Sequence, residues 1–381
     1  MNKTDLKNRE ALAIFQTYGR QDVLLVRGLG ARLWDSDGRE YLDFVAGIAV
    51  NNVGHCHPKV VQAIQSQAER LIHTSNLYYT ENQVLLAEAL KALTGMDRAY
   101  FCNSGAESVE AALKLVRRLT GRSGIVAAER AFHGRTLGAL GATFKSAYRE
   151  PFRPLAEAAF VPYNDIEALK AAVTAQTAAV ILEPVQGEAG VYLADAEYLQ
   201  AARQICDDRK ALLIFDEVQT GFGRTGKWFA KEHSGVMPDI MTLAKALAGG
   251  LPMGAMLACG AAAEGFSKGD HGSTFAGGPL ISAAALAVIE VIKEERLVER
   301  SAEMGEYLRG KLKALAPREI RGLGLMVGVD LDADCKALVE KALSQGAILN
   351  NTAEHTLRLI PPLVVGRAEI DQVVKIIGDS L

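Results

Sequence analysis

Residues 212–227 read LLIFDEVQTGFGRTGK, in which an apolar run ends at Asp216 and three glycines follow. An apolar run of this length that stops at a charge predicts a buried strand. Residues 125–128 and 179–182 form two more such runs, and helical patterns over residues 108–119 and 196–209 alternate with them. Short strands alternating with helices predict β-α units around a mostly parallel sheet. The sequence therefore predicts an α/β fold.

The two ends of the chain differ from this middle. Helical stretches at residues 280–295 and 301–315 precede short strands at 325–331 and 357–360. Strand-like pieces also occur near the N-terminus, at residues 31–35 and 40–44. We therefore predict a large domain over residues 56–279. A smaller α+β domain is expected from residues 280–381, joined by the N-terminal segment 1–55.

Composition excludes several classes of protein. With 49% hydrophobic and 23% charged residues, the 381-residue chain has ordinary globular usage and enough apolar residues for a large core. A net charge of −3 lacks the basic footprint of a nucleic-acid binder. Five scattered cysteines without a C-x-x-C, and an N-terminus without a signal-peptide core, predict a cytoplasmic location. Residues 246–263 carry no charge, but their glycines and proline argue against a membrane span.

The three glycines Gly221, Gly223 and Gly226 spell G-x-G-x-x-G, a pattern typical of dinucleotide-binding turns. In that turn the first glycine follows the strand directly, the third opens a helix, and an acid lies about 20 residues further on. Here five residues separate strand and glycine, only a short helix can follow Gly226, and residues 244–247 contain no acid. The context of these glycines therefore disfavours an NAD-dependent oxidoreductase. Detection of bound nicotinamide would make that function an alternative again.

Two of the predicted strands end in acids, Glu183 and Asp216. Ligands of open α/β sheets bind in the crevice beyond the carboxyl ends of the strands, so both acids are expected to face it. Either acid could instead be an ordinary turn or capping residue. Asp216 needs a cationic partner if it is buried as a charge.

Lys245 is the only charged residue between Asp239 and Glu264. A lysine in apolar surroundings loses solvation, its pKa falls, and its neutral amine becomes a nucleophile. Taken alone, it could equally be a lysine that extends to solvent from a helix end. Lysine and acid together match the needs of pyridoxal phosphate, which requires a lysine for its Schiff base and an acid opposite the ring nitrogen.

A phosphate site would complete this set, and residues 101–107, FCNSGAE, are a candidate. A short strand, a turn of small residues and a helix start together leave free N–H groups that bind anions. The same residues could form no more than a Ser104 N-cap with Glu107 in a capping box. The three elements together are more specific than any one of them.

At this point the chain resembles the class III pyridoxal-phosphate aminotransferases, and within them the acetylornithine aminotransferase group. The likeness rests on segments across nearly the whole chain: YGRQDVLLVRGLGARLWDSDGREYLDF (18–44), GHCHP (54–58), FCNSGAESVEAALKL (101–115), FHGRT (132–136), FDEVQTGFGRTG (215–226), LAKALAGGLPMGA (243–255), HGSTFAGGPL (271–280) and RLIPPL (358–363). It implies fold type I, a large domain with a central mostly parallel sheet plus a small α+β domain from both termini.

The resemblance implies a set of cofactor contacts. Lys245 would bind pyridoxal phosphate covalently and transfer the proton, and Asp216 would pair with the ring nitrogen. Gln219 would contact the ring hydroxyl, and Phe132 would stack on the ring. The other implied cofactor-binding residues are Ser104, Gly105 and Ala106 at the phosphate, Glu217 and Val218 beside Asp216, and Thr274, which would reach the neighbouring subunit's phosphate and so require a homodimer.

The resemblance also implies substrate contacts. Arg358 would bind the α-carboxylate of glutamate or 2-oxoglutarate, and Arg135 the carboxylate of acetylornithine or the distal carboxylate of glutamate. Glu188 resembles the family's switch acid, which pairs with an arginine of the site while the ω-amine substrate is bound. Ser273 would lie near the substrate, and Glu183 would support the site. His133 receives no catalytic role, and the His55-Cys56-His57 cluster supplies too few ligands for a metal.

Two departures from the family pattern bear on detail. Residues 276–279 read AGGP where the family commonly has Gly-Gly-Asn-Pro. Ile48 stands where ornithine aminotransferases typically carry a tyrosine, which favours an acylated donor without the charged α-amino group. The implied reaction is transamination of N-acetylornithine with 2-oxoglutarate. Ornithine, succinylornithine, succinyldiaminopimelate and 4-aminobutyrate remain alternative donors, and a cofactor-storing or regulatory relative is disfavoured because Lys245 and Asp216 are both present.

Overall fold

In the computed structural model, which describes residues 3–381, strands and helices alternate through the middle of the chain as predicted. The strands are β1 Leu25–Leu29, β2 Arg32–Asp35, β3 Glu40–Asp43, β4 Arg98–Cys102, β5 Gly124–Ala128, β6 Ala159–Val161, β7 Thr177–Leu182, β8 Val185–Gln186, β9 Tyr192–Leu193, β10 Leu212–Asp216, β11 Ile240–Leu243, β12 Gly254–Ala258, β13 Glu319–Leu323, β14 Met326–Asp330, β15 Ala347–Ile348, β16 Asn350–Ala353 and β17 Thr356–Leu359. The helices are α1 Lys3–Ala13, α2 Ala46–Ala49, α3 Pro58–Ala68, α4 Glu81–Thr94, α5 Gly105–Thr120, α6 Leu137–Gly141, α7 Ser146–Arg149, α8 Ile166–Ala172, α9 Ala196–Arg209, α10 Lys231–Ser234, α11 Pro279–Glu294, α12 Leu297–Leu312, α13 Cys335–Ser344 and α14 Arg367–Ser380.

The central sheet has seven strands in the order β4-β12-β11-β10-β7-β5-β6. The pairs β11/β10, β10/β7, β7/β5 and β5/β6 are parallel, and β12 runs antiparallel to both of its neighbours. This arrangement confirms the predicted mostly parallel sheet. Because β12 alone is reversed, β4 points in the same direction as the parallel strands.

Helices cover both faces of this sheet because successive strand residues point to opposite sides. Ile214 of β10 packs in a core cluster with residues of α5, whereas Leu213 and Phe215 pack in a second cluster with residues of α9. Helix α9 buries Tyr198, Leu199, Ala202, Ile205 and Cys206, which lie on one face at helical spacing. The strands are therefore buried on both sides, as their continuous apolar sequence predicted.

Two smaller sheets come from the ends of the chain. The first has the order β1-β2-β3-β15, and the second β13-β14-β17-β16. Strand β15 pairs in parallel with β3, with Ala347 opposite Leu42, so the N-terminal strands share a sheet with the C-terminal region. The proposed domain boundaries at residues 55 and 279 stay a prediction, and this pairing is consistent with them.

The glycines after Asp216 allow close contact with the C-terminal region. Gly223 and Gly226 have φ of +85° and +81°, which favours glycine. A Cβ at Gly223 would lie 2.9 Å from Leu363 Cδ1, and one at Gly226 would lie 2.9 Å from Ala302 Cβ in α12. After Gly226 the chain forms only the four-residue helix α10. These glycines therefore serve packing against α12, and the strand-turn-helix context of a dinucleotide site is not formed around them.

Arg224 lies between these glycines and is fully buried. Its guanidinium donates to the Leu325 carbonyl at 2.9 Å, to the Pro361 carbonyl at 2.6 Å and to Asn52 Oδ1. Burial lowers the pKa of Arg224 to about 9, against the raising effect of Asp43. One side chain thus joins the segment after Asp216 to both the N-terminal and the C-terminal regions, a role that the glycine pattern concealed.

One helix boundary differs from the sequence-based expectation. Helix α12 begins at Leu297, four residues before the predicted start, and ends at Leu312 in a short 3₁₀ turn. The uncharged residues 246–263 contain strand β12 and parts of two 3₁₀ turns. No helix in residues 3–381 is long and apolar enough to cross a membrane.

Candidate active site

Residues that follow five strands meet at one edge of the central sheet. Strands β4, β5, β7, β10 and β11 all point the same way, and the crevice beyond their carboxyl ends is the usual ligand site of such sheets. There they surround a cavity of about 440 Å³, called here the inner cavity. Its walls include Ser104, Phe132, Asp216, Val218 and Lys245. Most of the predicted cofactor-binding residues are therefore brought together.

Asp216 ends strand β10 and is 5% exposed. One of its oxygens, Oδ2, lies 2.7 Å from His133 Nδ1. The other, Oδ1, accepts hydrogen bonds from Thr242 Oγ1 and the Val218 N–H, both at 3.1 Å. These contacts satisfy a buried carboxylate without removing it from the cavity wall.

The sequence gave His133 no catalytic role, and the structure shows what the side chain contacts. Its ring is buried against Asp216, and its Nε2 has no hydrogen-bond partner within residues 3–381. Burial by itself lowers the pKa of His133, but the hydrogen bond and charge of Asp216, aided by Glu183, leave that pKa raised. His133 is therefore a positioning residue for Asp216. One feature of the sequence pointed to this contact: a buried acid at the end of a strand, such as Asp216, needs a hydrogen-bonding or charged partner.

Lys245 opens a short 3₁₀ turn after strand β11, and its neighbours Ala244, Ala246 and Leu247 are buried. Its φ of +43° is unusual for a residue other than glycine, a form of backbone strain found at functional sites. Loss of solvation lowers the pKa of Lys245, helped by the charge of Arg358 and opposed by Glu188, Asp216 and Glu183. The amine of Lys245 is thus buried beside the inner cavity, and its role as a nucleophile stays a prediction.

The first turn of α5 forms one corner of the inner cavity. Ser104 is the N-cap, and its Oγ accepts the Glu107 N–H at 3.2 Å. The N–H groups of Gly105 and Ala106 belong to the helix start, where no intrahelical partner is available, and both residues line the cavity. A Cβ at Gly105 would lie 2.7 Å from Val218 Cγ1, so glycine is needed for this close approach.

Glu183 follows strand β7 and also lines the inner cavity. Its Oε1 accepts the backbone N–H of Phe132 at 2.9 Å, which holds the segment that carries Phe132 and His133. Burial raises the pKa of Glu183 to about 7, with His133 opposing and Asp216 reinforcing the shift. The hydrogen bond to the Phe132 N–H is the contact through which Glu183 would support the site.

A second, outer cleft opens beside Phe132 and Glu188, which also line the inner cavity. It measures about 250 Å³, and its walls include Ile48, Lys145 and Arg358. Arg358 Nη1 donates to Glu188 Oε1 at 2.5 Å and to Gln219 Oε1 at 3.2 Å. Burial raises the pKa of Glu188, but Arg358 and Lys245 outweigh this and leave it lowered. Glu188 therefore pairs with Arg358.

The remaining predicted residues fall into two groups. Arg135 and Val218 line the inner cavity. The carboxylate of Glu217 is used elsewhere, because it accepts from Thr220 Oγ1 and from the backbone N–H groups of Ala230 and Lys231. Ser273 and Thr274 do not line the inner cavity of their own chain, although Ser273 Oγ accepts from Asn103 Nδ2 at 3.0 Å.

The loop that departs from the family pattern, residues 276–279, is held by side chains of neighbouring segments. Asn76 Nδ2 and Gln83 Nε2 donate to the Ala276 carbonyl at 3.0 and 3.2 Å. Pro279 then begins helix α11, a position where proline is favoured. The sequence of residues 276–279, although it differs from the family pattern, is therefore compatible with a loop held by hydrogen bonds.

The residues of the inner cavity fit the cofactor that the resemblance implies. A lysine amine that makes no hydrogen bond within the described chain, a strand-end acid and an anion-binding helix start lie on one cavity, with Phe132 and Val218 as apolar walls. A pyridine ring with an aldehyde and a phosphate needs these groups. No cluster of His, Cys, Asp or Glu that could bind a metal occurs within residues 3–381.

Comparison with known proteins gives the same indication. The aminotransferase class-III family model matches residues 15–381. The acetylornithine aminotransferase of Methanosarcina acetivorans is 56% identical over 379 residues, covering 98% of this chain and 95% of that protein. The acetylornithine aminotransferase of Methanothermobacter thermautotrophicus is 50% identical over 384 residues, covering 99% and 98%.

Solved structures are similar over the full chain. The ornithine aminotransferase of Toxoplasma gondii, described with partial occupancy of pyridoxal phosphate at its active site, superposes with a TM-score of 0.95 at 32% identity and covers 100% of this chain and 94% of its own. The acetylornithine aminotransferase of Elizabethkingia anophelis superposes with a TM-score of 0.88 at 33% identity, covering 100% and 99%.

Proposed function

Because the chain belongs to the class-III aminotransferases, we propose that it transfers the δ-amino group of N2-acetyl-L-ornithine to 2-oxoglutarate. The products are N-acetyl-L-glutamate 5-semialdehyde and L-glutamate, and the reaction is a step of arginine biosynthesis. One observation carries the proposal: Lys245, Asp216 and the start of α5 surround one cavity in a chain about half identical to acetylornithine aminotransferases.

Pyridoxal phosphate is the cofactor, and this chain's residues have the groups to hold it. Lys245 would bind it through Nζ, the α5 N-terminus at Ser104, Gly105 and Ala106 would bind its phosphate, and Phe132 would cover the ring. When bound, the cofactor supplies an aldehyde carbon for amines and a ring that accepts electrons. Gln219 lines the same cavity and is proposed to contact the ring hydroxyl.

Two residues are proposed to transfer or stabilise protons during the reaction. Lys245 Nζ, whose pKa is lowered by burial, would take a proton from the substrate carbon that bears the amine and return it one step later. Asp216, held by His133 Nδ1 at 2.7 Å, would stabilise a proton on the ring nitrogen. Burial of both groups excludes water, which strengthens each electrostatic contact.

Two arginines would bind the substrate carboxylates. Arg135 is assigned the carboxylate of acetylornithine, and Arg358 the α-carboxylate of 2-oxoglutarate or glutamate. The observed pair between Arg358 and Glu188 supports Glu188 as the switch acid, because it neutralises Arg358 when no ligand carboxylate is there. Ile48 lines the outer cleft, where its apolar side chain is proposed to favour an acylated amine donor.

A homodimer is part of the proposal. Thr274 is exposed, Phe275 is 64% exposed, and neither lines the chain's own inner cavity. Thr274 is proposed to reach the phosphate of the partner's site, with Ser273 near the substrate. Size-exclusion chromatography with light scattering would test this directly.

Ornithine is the second candidate donor, because the Toxoplasma gondii ornithine aminotransferase superposes with a TM-score of 0.95. The deciding experiment adds acetylornithine, ornithine and 4-aminobutyrate separately to the holoenzyme without 2-oxoglutarate. Fastest loss of the cofactor's absorption band with acetylornithine supports the proposed donor. Faster loss with another amine replaces the donor, and no band after added pyridoxal phosphate overturns the cofactor assignment.

Substitution of the lysine gives a sharper test of the mechanism. Lys245→Ala is expected to lower turnover by about 10³-fold or more, because both the covalent attachment and the proton transfer are lost. Lys268→Ala, at an exposed lysine that does not line the cavity, is the matched control. Normal turnover by the Lys245→Ala enzyme would contradict the assignment.

A further inference from the structure

Arg135 lines the inner cavity and has no acidic partner in the part of the chain that the structure describes. Within residues 3–381 no carboxylate forms an ion pair with Arg135, whereas Arg358 is neutralised by Glu188. An arginine beside a cavity without a counter-ion keeps its N–H donors available for a ligand carboxylate. It also lacks the fixed geometry that a salt bridge would give it, so some other contact has to hold it.

That contact is the ring of Tyr148. The guanidinium carbon of Arg135 lies 3.3 Å from the centroid of the Tyr148 ring and 5.8 Å from the centroid of the Phe132 ring. Both distances are within the range of cation–π attraction. A ring face orients a planar guanidinium and uses none of its N–H donors, so the group is held and still free to bind an anion.

The position of Tyr148 is itself fixed by contacts around it. The Phe144 N–H donates to the Ala131 carbonyl at 2.8 Å, which ties this segment to the one carrying Phe132. Arg149, the next residue after Tyr148, is buried and donates to the Phe144 carbonyl at 2.9 Å. The buried Arg149 also pairs with Glu157, so contacts with other segments hold the chain on both sides of Tyr148.

Lys145 brings a second cation to the same ring. Its Nζ lies 4.9 Å from the Tyr148 centroid, and no acid pairs with it in the described chain. Lys145 and Tyr148 line the outer cleft, which also contains Arg358. Two unpaired cations that share one ring repel each other, and an anion placed between or beside them relieves that repulsion.

We propose that Tyr148 is a positioning residue that holds Arg135 for the distal carboxylate of the dicarboxylate substrate, and that Lys145 supplies a second positive charge at that site. The inference rests on the proposed function, since 2-oxoglutarate is the substrate with two carboxylates. Arg358 binds one of them and the Arg135–Tyr148–Lys145 cluster binds the other. The ring of Tyr148, rather than its hydroxyl, is the essential part.

The first test separates substrate binding from chemistry. In the holoenzyme, Tyr148→Leu is expected to raise the KM for 2-oxoglutarate about tenfold with kcat changed less than about twofold, the size expected for loss of one cation–π contact. Tyr148→Phe keeps the ring and is expected to restore the wild-type KM. An unchanged KM in Tyr148→Leu, or equal damage in Tyr148→Phe, would overturn the proposal.

Tyr307→Leu is the matched control, because the Tyr307 ring also carries a lysine and an arginine, Lys311 at 5.1 Å and Arg367 at 5.0 Å, but lies away from both cavities. It should leave the KM unchanged. A second readout uses glutarate, a non-reacting dicarboxylate, titrated by calorimetry into wild-type and Tyr148→Leu holoenzyme. Glutarate affinity should fall by the same factor as the KM rises, and unchanged glutarate affinity would overturn the positioning role.

The role of Lys145 is tested by removing its positive charge. Lys145→Met is expected to raise the KM for 2-oxoglutarate several-fold at low salt and to weaken its dependence on ionic strength, while Lys311→Met does neither. An unchanged salt dependence would remove Lys145 from the site. If wild-type enzyme binds glutarate in a Tyr148-dependent manner but does not transaminate 2-oxoglutarate, the proposed function fails and the binding site stands.

Discussion

The pair of Glu188 with Arg358 should control which substrate the enzyme prefers. Arg358 is 1% exposed, and Glu188 Oε1, Gln219 Oε1 and Asn350 Oδ1 accept its hydrogen bonds at 2.5, 3.2 and 2.8 Å. A ligand carboxylate that uses Arg358 has to displace Glu188. Replacing Glu188 by glutamine keeps the size of the side chain and removes the charge that competes.

The size of the effect follows from the kind of bond. A glutamine at position 188 still accepts a hydrogen bond from Arg358, but the attraction between two opposite charges is lost. For a partly exposed pair that attraction is about 1 kcal/mol, and its loss lowers the cost of displacing residue 188 by close to tenfold in binding. Glutamate should react about tenfold faster at low concentration with Glu188→Gln. Acetylornithine, whose carboxylate is assigned to Arg135, should change little.

The assay follows the absorption band of the bound cofactor in each half-reaction, with glutamate and acetylornithine as separate donors. The quantity to compare is the ratio of their second-order rate constants, expected to shift about tenfold toward glutamate. Glu319→Gln is the control, because Glu319 also pairs with a buried arginine, Arg321, which keeps Asp330 as a second partner. Equal changes for both donors, or no change for glutamate, would refute a switching role for Glu188.

Two further predictions concern stability. Because burial raises the pKa of Glu183 from 4.5 to about 7, the folded protein holds that proton more tightly than the unfolded chain. Stability should therefore fall as pH rises through this window, by about 3 kcal/mol in total, and urea titrations should show that Glu183→Gln removes that part of the slope; an equal slope would contradict the assigned pKa. Arg224→Met should lower the free energy of unfolding by about 3 kcal/mol, because buried acceptors at Leu325 and Pro361 lose their donor. A loss below about 1 kcal/mol in the same titration would contradict this role.

Local pattern was sufficient to predict the framework of the site. The strands at residues 179–182 and 212–215 lie within β7 and β10, and helix α9 covers residues 196–209 as predicted. Strand ends collect at one edge of a parallel sheet, so Glu183 and Asp216 could be placed together without knowledge of their distance in space. The period of the apolar residues and the geometry of a parallel sheet depend on neighbouring residues, so both can be inferred from the local sequence.

Contacts between distant segments could not be predicted in this way. His133 and Asp216 are 83 residues apart, and Arg358 and Glu188 are 170 apart. Whether such side chains meet depends on the order of strands in the sheet and on loop paths, and no local pattern encodes either. The same limit hid Arg224, whose acceptors belong to segments more than one hundred residues further along the chain and to Asn52 near its start. The hydrogen bonds from the α10 segment to the Glu217 carboxylate were hidden for the same reason, because its neighbours along the chain gave no sign of them.

The charge arrangement of the two arginines explains how one site can serve two unlike substrates. Acetylornithine has one carboxylate and 2-oxoglutarate has two. Arg358 has an internal counter-ion in Glu188, whereas Arg135 has no acidic partner within residues 3–381 and lies against the rings of Tyr148 and Phe132. A ligand with one carboxylate can therefore bind Arg135 while Arg358 stays neutralised, and no buried charge is left unpaired. A dicarboxylate has to displace Glu188, and because that side chain is 33% exposed it can turn toward solvent at modest cost. Glu188 is therefore expected to keep Arg358 paired both in the free enzyme and with a one-carboxylate donor bound, so that only a second ligand carboxylate has to displace it.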